Sequence, residues 1–266
     1  MINLKRLNEN IYGHKKKLEF ILNAVKNYSK SEKKPYSEIK ILDFGCGNGT
    51  AISYHIANLG VQLTGVDFHL ESIEFALRNN RFSNAKFTYG NEDTVLELGQ
   101  IFDIIIYSDV IEHLPKPELI LKKIRNIHKD FGIIIITIPN GYGPFEIEKR
   151  ILRFPGIVYL YGKILYFLYK IRLKFIKEVW QSPPILLPYN VNCRHIQFFT
   201  LKKFYHLMKK TGYEILGIHN GSFIGSPISE PLLGFDKFIK WNVRIADKLP
   251  RQLISTWYFV CKKSAI

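Results

Sequence analysis

The chain has 266 residues, enough for one large or two small domains, and its 47% of hydrophobic residues is the share of a globular protein with a real core. The net charge of +15 is uneven: 9 of the 38 Lys/Arg and 13 of the 23 Asp/Glu fall in residues 38–140, so that stretch is net −4 and the remainder +19. Three scattered cysteines (Cys46, Cys193, Cys261) exclude zinc-site spacing and point to a reducing compartment, residues 1–10 do not read as a signal peptide, and no charge-free apolar run of 18 residues exists to span a membrane.

Residues 8–28 place Ile11, Leu18, Ile21, Leu22 and Val25 at helical spacing, with Lys15 to Lys17 on the solvated side. This predicts a basic N-terminal helix, joined by a linker at 29–37, so residues 1–37 are set apart from 38–266. Strands are predicted at Ile39–Phe44, Val61–Val66 (ending at Asp67), Ala85–Tyr89, Phe102–Tyr107 and Gly132–Ile138. Helices are predicted at Leu70–Asn80 and Pro117–Lys129, and Gly90–Asp93 reads as a polar turn. Near-continuous Ile/Val runs are typical of parallel strands covered on both faces, and their alternation with helices implies a doubly wound α/β sheet.

After Pro139-Asn140-Gly141 the rhythm breaks, and residues 141–192 form an insertion. A helix at Phe198–Gly212, with Thr200 as N-cap, and a sixth strand at Tyr213–His219 resume it. A second insertion, 221–250, holds an amphipathic helix around Leu232–Leu249, and Thr256–Lys262 is the last strand.

The first strand runs into Gly45, Gly47 and Gly49, and a helix-forming stretch starts at Thr50. A glycine turn of this kind brings a ligand close to backbone N–H groups. The spacing is G-x-G-x-G, not the G-x-G-x-x-G of a pyrophosphate site, and Asp43 just ahead favours a cationic or amine-bearing ligand. At these residues the chain resembles the class I S-adenosylmethionine-dependent methyltransferases. The resemblance covers 38–140 well and 195–262 loosely. It implies a seven-stranded Rossmann-like sheet whose last strand is antiparallel beside the fifth, here with an inserted helical lid. It also implies S-adenosyl-L-methionine as cofactor, held by Asp43, Gly45, Cys46, Gly47 and Gly49. Asp67 would accept the ribose hydroxyls, a bidentate task suited to a carboxylate. Phe68 would lie against the adenine, one of Asn91, Glu92 and Asp93 would receive its amino group, and Ser108 lies at the same edge.

Ser108-Asp109-Val110-Ile111-Glu112-His113 resembles the acid-x-x-Glu-His segment of the ubiquinone-biosynthesis O-methyltransferase branch. That resemblance implies a divalent cation, Mg²⁺ or a softer ion, on Asp109, Glu112 and His113, lowering a hydroxyl pKa. A short helix cap is the plainer reading of Glu112-His113. His113 and His195 are alternative general bases, and Tyr142 is a possible substrate contact.

In the first insertion, Lys163, Lys170, Lys174 and Lys177 share one helical face. Tyr161, Ile164, Leu165, Leu168, Ile171, Phe175 and Val179 share the other, interrupted by Arg172. A basic amphipathic helix suits an anionic membrane surface, or a lid over the active site. The expectation is a cytoplasmic enzyme, peripheral at the membrane, that methylates a hydroxyl of a lipid-linked small molecule or glycan precursor. RNA methylation and a non-catalytic binding role on the same fold are the alternatives.

Overall fold

The apolar runs pair edge to edge. In the computed structural model, which describes residues 8–170, 194–225 and 229–264, the strands are β1 (Lys40–Phe44), β2 (Gln62–Asp67), β3 (Ala85–Tyr89), β4 (Phe102–Ser108), β5 (His128–Pro139), β6 (Tyr213–Asn220) and β7 (Thr256–Lys263). They form one seven-stranded sheet in the order β3-β2-β1-β4-β5-β7-β6. The first five strands run parallel, and β7 is antiparallel to both β5 and β6, as the resemblance implied.

Successive residues of a strand point to opposite faces, so a run of isoleucines fills two cores at once. Ile105 and Tyr107 of β4 enter one cluster with Ile134, Ile136, Trp257 and Phe259. Ile104 and Ile106 enter the other, with Ile41 and Ile135. The N-terminal helix α1 (His14–Ser31) completes this second core through Leu18, Ile21, Leu22, Val25 and Tyr28. It starts later than its periodicity suggests, after Gly13 in the left-handed region, and the Glu9 carboxylate accepts the Lys15 and Lys16 N–H groups at its first turn, each at 2.9 Å.

The crossover helices are α2 (Ser53–Ala57), α3 (Leu70–Asn79), α4 (Glu92–Glu97) and α5 (Pro117–Arg125). Two boundaries differ from expectation. The polar turn at 90–93 is the start of α4, because Asn91 caps it. The helix predicted to reach Lys129 stops at Arg125, because the Ile127 carbonyl already accepts the Phe102 N–H at 2.8 Å, in strand register.

The first insertion contributes α6 (Pro144–Ile151) and α7 (Pro155–Lys170). The sheet resumes through α8 (Leu201–Lys210), where Thr200 Oγ1 accepts the Lys203 N–H at 3.2 Å as expected of an N-cap. The helix expected around 232–249 is two, α9 (Ser229–Leu233) and α10 (Asp236–Ala246), because Phe235 is extended and breaks the run. No helix among the described residues is long and apolar enough to cross a membrane.

Candidate active site

The carboxyl ends of β1 to β5 and the loops after them hold most of the residues singled out from sequence. Gly45 and Gly47 adopt φ of 78° and 54°, a region that side chains with a Cβ rarely enter. At Gly45 the turn is also tight, since a Cβ would stand 2.4 Å from Val110 Cγ2, whereas Gly47 faces open space. The N–H groups of Gly45 and Cys46 both donate to the Val66 carbonyl, at 2.7 and 3.1 Å, stitching the turn to β2.

Asp67 has a role that spacing did not reveal. Its Oδ2 accepts the Gly47 N–H at 2.7 Å and its Oδ1 accepts the His69 N–H at 2.8 Å. The carboxylate therefore braces the glycine turn while remaining partly exposed at the strand end. Phe68, beside it, is 58% exposed, an aromatic surface available at this edge. Asp43 is only 2% exposed, and Ser53 Oγ donates to its Oδ2 at 2.5 Å. Burial pushes its pKa up to about 6, against the opposing pull of the Ser53 bond. Burial likewise raises the Cys46 thiol.

Of the three residues after β3, Asn91 is the one committed to backbone. Its Oδ1 accepts the N–H groups of Asp93 and Thr94, and Thr94 Oγ1 accepts the Asn91 N–H. Glu92 and Asp93 face Lys123, at 3.4 and 2.7 Å. Asn91→Ala is expected to destabilise the fold by about 1 kcal/mol, the usual worth of an N-cap. Urea unfolding would measure this, and an unchanged midpoint would remove the cap from the account.

At the end of β4, Ser108 Oγ lies 3.2 Å from Thr137 Oγ1. Asp109 follows in the left-handed region, φ 55°, a strained setting for a residue with a side chain. Its carboxylate is held between Lys17 Nζ of α1, at 2.5 Å, and the Thr137 hydroxyl, at 2.8 Å. Burial pushes its pKa up, but Lys17 outweighs burial and holds the carboxyl below the usual range. Of the trio Asp109, Glu112, His113 implied by the motif, Asp109 is held by Lys17 and does not join the group of ligand-capable atoms found among the described residues. Its carboxylate is committed to a lysine 92 residues away in the chain.

A different group converges instead. One ligand-capable atom from each of Glu112, His113 and His195 lies within 4.8 Å of the others. Glu112 is 1% exposed, and neither carboxyl oxygen has a hydrogen-bond partner among the described residues. Burial first, then the nearby Asp109 charge, push its pKa well above the usual carboxylate range. His113 Nδ1 faces the Arg194 carbonyl at 3.0 Å, so that nitrogen carries the proton, and His113 Nε2 lies 4.0 Å from Glu112 Oε1. Burial lowers the His113 pKa.

The two histidines read as alternatives are neighbours, with ring centroids 4.8 Å apart at an interplanar angle of 71°. His195 Nδ1 in turn meets Glu146 Oε1 at 2.5 Å. Glu146, on α6, went unnoticed in the sequence, where nothing distinguishes it from any other acid in a helical first turn. Tyr142, half exposed, carries the Arg150 guanidinium over its ring at 5.1 Å.

Comparison with known proteins bears on the family and the fold. Residues 12–217 match the family model described as methyltransferase domain. The chain is 28% identical over 140 residues to the ubiquinone biosynthesis O-methyltransferase of Chelativorans sp. (strain BNC1), covering 50% of this chain and 55% of that one. It is 31% identical over 113 residues to the mitochondrial ubiquinone biosynthesis O-methyltransferase of Rattus norvegicus, covering 40% and 32%. The matched stretch thus spans about half or less of these relatives. Among solved structures, the plantazolicin methyltransferase BpumL, in complex with a monoazolic desmethylPZN analog and SAH, superposes with a TM-score of 0.55 at 18% identity, over 94% of this chain and 85% of that one. Magnesium protoporphyrin IX methyltransferase from Synechocystis PCC 6803, with bound SAH, gives 0.53 at 11% identity, over 95% and 85%. Such identities speak for the fold, while the glycine turn and the matched family model speak for the cofactor: the chain belongs to the methyltransferase-domain family, as a class I S-adenosylmethionine-dependent member.

Proposed function

We propose that the protein methylates a hydroxyl group of a small, lipid-linked acceptor or glycan precursor at the cytoplasmic face of an anionic membrane. The pairing of His113 with His195 carries this reading. A sulfonium methyl is already activated, so methyl transfer needs orientation above all. Only an acceptor that must lose a proton also needs a base, and here two imidazoles stand together beyond the β4 edge. The cofactor side falls to the glycine turn and Asp67, with Phe68 against the adenine and Asp43 beneath.

A divalent cation fits this chain differently from the motif. Glu112, whose two oxygens have no hydrogen-bond partner among the described residues, would hold it with His113 and His195, and Asp109 would not. Two imidazoles favour an ion softer than Mg²⁺. Such a cation supplies Lewis acidity that lowers the pKa of a bound hydroxyl.

The membrane part of the reading rests on α7 and the segment before it. Phe154, Tyr159, Leu160, Tyr166 and Phe167 are exposed, while Leu165 is buried. Two aromatic rings outside the apolar face named from sequence lie on the lysine side. Lys163 lies over the Tyr159 ring at 4.5 Å and Lys170 over the Tyr166 ring at 5.1 Å. Cations interleaved with aromatics suit the headgroup boundary. The Leu168 side chain, and Ile171, Arg172, Lys174, Phe175, Lys177 and Val179, lie outside the described residues.

Purified protein incubated with methyl-labelled cofactor and fractionated cell extract is expected to label the lipid-extractable fraction. It is also expected to sediment with anionic phosphatidylglycerol vesicles at low salt and less at high salt, since exposed charges are screened. Lys163→Glu with Lys170→Glu should weaken sedimentation and leave cofactor binding unchanged. Label in RNA, with no vesicle binding, overturns the reading in favour of an RNA methyltransferase.

A further inference from the structure

The helix α10 has two faces of opposite character. Ile239, Asn242, Val243 and Ala246 form the inner face and are buried. Asn242 anchors it: its Nδ2 donates to the carbonyls of Ile11 and Ile224, at 2.8 and 2.7 Å, and its Oδ1 accepts the Ile224 N–H at 2.8 Å. Lys16 of α1 donates to the Val243 carbonyl at 3.0 Å. The outer face carries Lys237, Lys240, Trp241 and Arg244, at spacings of three and four that share one side of a helix. Lys248 extends the row, because its N–H still donates to the Ile245 carbonyl, at 2.9 Å, in the turn that ends the helix.

All four cations are exposed, and none makes an ion pair among the described residues. Asp247 is taken by Lys16 at 2.6 Å, which leaves Asp236 as the one acid of the helix against the whole row. Apolar groups lie between the cations. An open groove of about 450 Å³ is lined by Lys237, Lys240, Trp241, Arg244, Ile245 and Lys248. Trp241 is 47% exposed and Phe235 40%. The indole packs against Phe238, centroids 5.2 Å apart, and meets Phe223 at 6.1 Å and 74°. Rings packed on one another keep apolar breadth but leave less free face for a nucleic-acid base to stack on. An indole among lysines and an arginine, on a helix whose other face is buried, has the composition of a membrane-surface helix. The cations meet lipid phosphates, and the indole enters at headgroup level.

The strand β6 runs in the same direction as β5, since both are antiparallel to β7. The segment that follows β6 and contains α10 therefore leaves the sheet at its carboxyl edge, the edge of the glycine turn and of the acceptor residues. We propose that the outer face of α10 docks on an anionic phospholipid bilayer. This deepens the membrane reading above and rests on it, but through residues separate from α7. Docking through this segment holds the enzyme at the surface where a lipid-linked acceptor resides.

The test titrates the full chain with phosphatidylglycerol vesicles, and with phosphatidylcholine vesicles as the uncharged comparison. The wild type is expected to bind the first at low salt and not the second. Replacing Lys237, Lys240, Arg244 and Lys248 together with Glu should weaken vesicle affinity by about 10²–10³-fold, because each cation near an anionic surface is worth about fivefold. Replacing the same four with Gln should act in the same direction. Affinity for S-adenosylhomocysteine should stay at the wild-type value in both, which reports an intact fold. Charge reversal at Lys26, Lys202, Lys203 and Lys209, exposed lysines of α1 and α8, makes the same change in net charge and should cost far less. The tryptophan emission should shift to the blue on vesicle binding, and by less in Trp241→Phe. Equal losses in the two charge-reversed proteins, or a blue shift unchanged in Trp241→Phe, overturn the docking face. Vesicle affinity kept in the α10 variants but lost in Lys163→Glu with Lys170→Glu overturns it and leaves the membrane reading standing on α7. A wild type that ignores phosphatidylglycerol vesicles overturns both. If it then binds single-stranded RNA through the same four cations, the face belongs to nucleic acid.

Discussion

Asp67→Ala is expected to weaken S-adenosylhomocysteine binding by about 2–4 kcal/mol, roughly 30- to 1000-fold in Kd. Two losses add. The variant removes the proposed acceptor of the ribose hydroxyls, a charge-assisted contact worth about 1.5–3 kcal/mol. It also releases the Gly47 and His69 N–H groups, at 2.7 and 2.8 Å in the intact protein, so the turn is no longer held in its binding shape. Calorimetry on the wild type, Asp67→Ala and Asp67→Asn would separate these. The asparagine variant keeps one side-chain acceptor and should fall between the other two. An affinity unchanged in all three, or tight binding of NAD in place of S-adenosylhomocysteine, would take Asp67 out of the ribose role.

Gly45→Ala is expected to destabilise the protein by about 2–5 kcal/mol. The left-handed backbone, φ 78°, costs a residue with a Cβ about 1–2 kcal/mol. The new methyl would stand 2.4 Å from Val110 Cγ2, and overpacking of this kind costs about 1–3 kcal/mol more. Gly47→Ala is the comparison, because it has the same kind of backbone, φ 54°, with nothing within 4 Å of the added Cβ. It should lose only about 1–2 kcal/mol. Urea midpoints of the two variants, measured side by side, read the difference. Equal losses would mean that Val110 moves aside without cost and that only the backbone term remains.

Val110 follows Asp109, so this clash also shows how closely the glycine turn and the acceptor edge are built. The turn after β1 packs on the loop after β4, and that loop is tied by Asp109 to Lys17 on α1 and to Thr137 on β5. The N-terminal helix, read from sequence as an attachment, is thereby a wall of the site.

Features carried by neighbours along the chain are legible in the amino-acid sequence itself. A run such as Ile104 to Tyr107 reports burial on both faces, because alternate residues must point opposite ways. Three glycines after a strand report a turn of positive φ, because no other residue takes that backbone cheaply. From these come the strands, the glycine turn and the family. Element ends are less legible, because they depend on caps and register: Asn91 starts a helix, and Ile127 is drawn into the sheet by Phe102.

The partners of the charged groups were decided by tertiary structure alone. Lys17 meets Asp109 across 92 residues, His113 meets His195, and Glu146 meets His195 across an insertion. No periodicity encodes such pairs. A charge is placed by where the sheet edge brings distant loops, and its ionisation is then set by the burial and the opposite charge it finds there. Sequence by itself determined that this protein is a class I methyltransferase domain and where its glycine turn lies. Only the folded chain turned Asp109 toward Lys17, left both Glu112 oxygens without a hydrogen-bond partner among the described residues, and set two histidines side by side with a buried glutamate behind one of them.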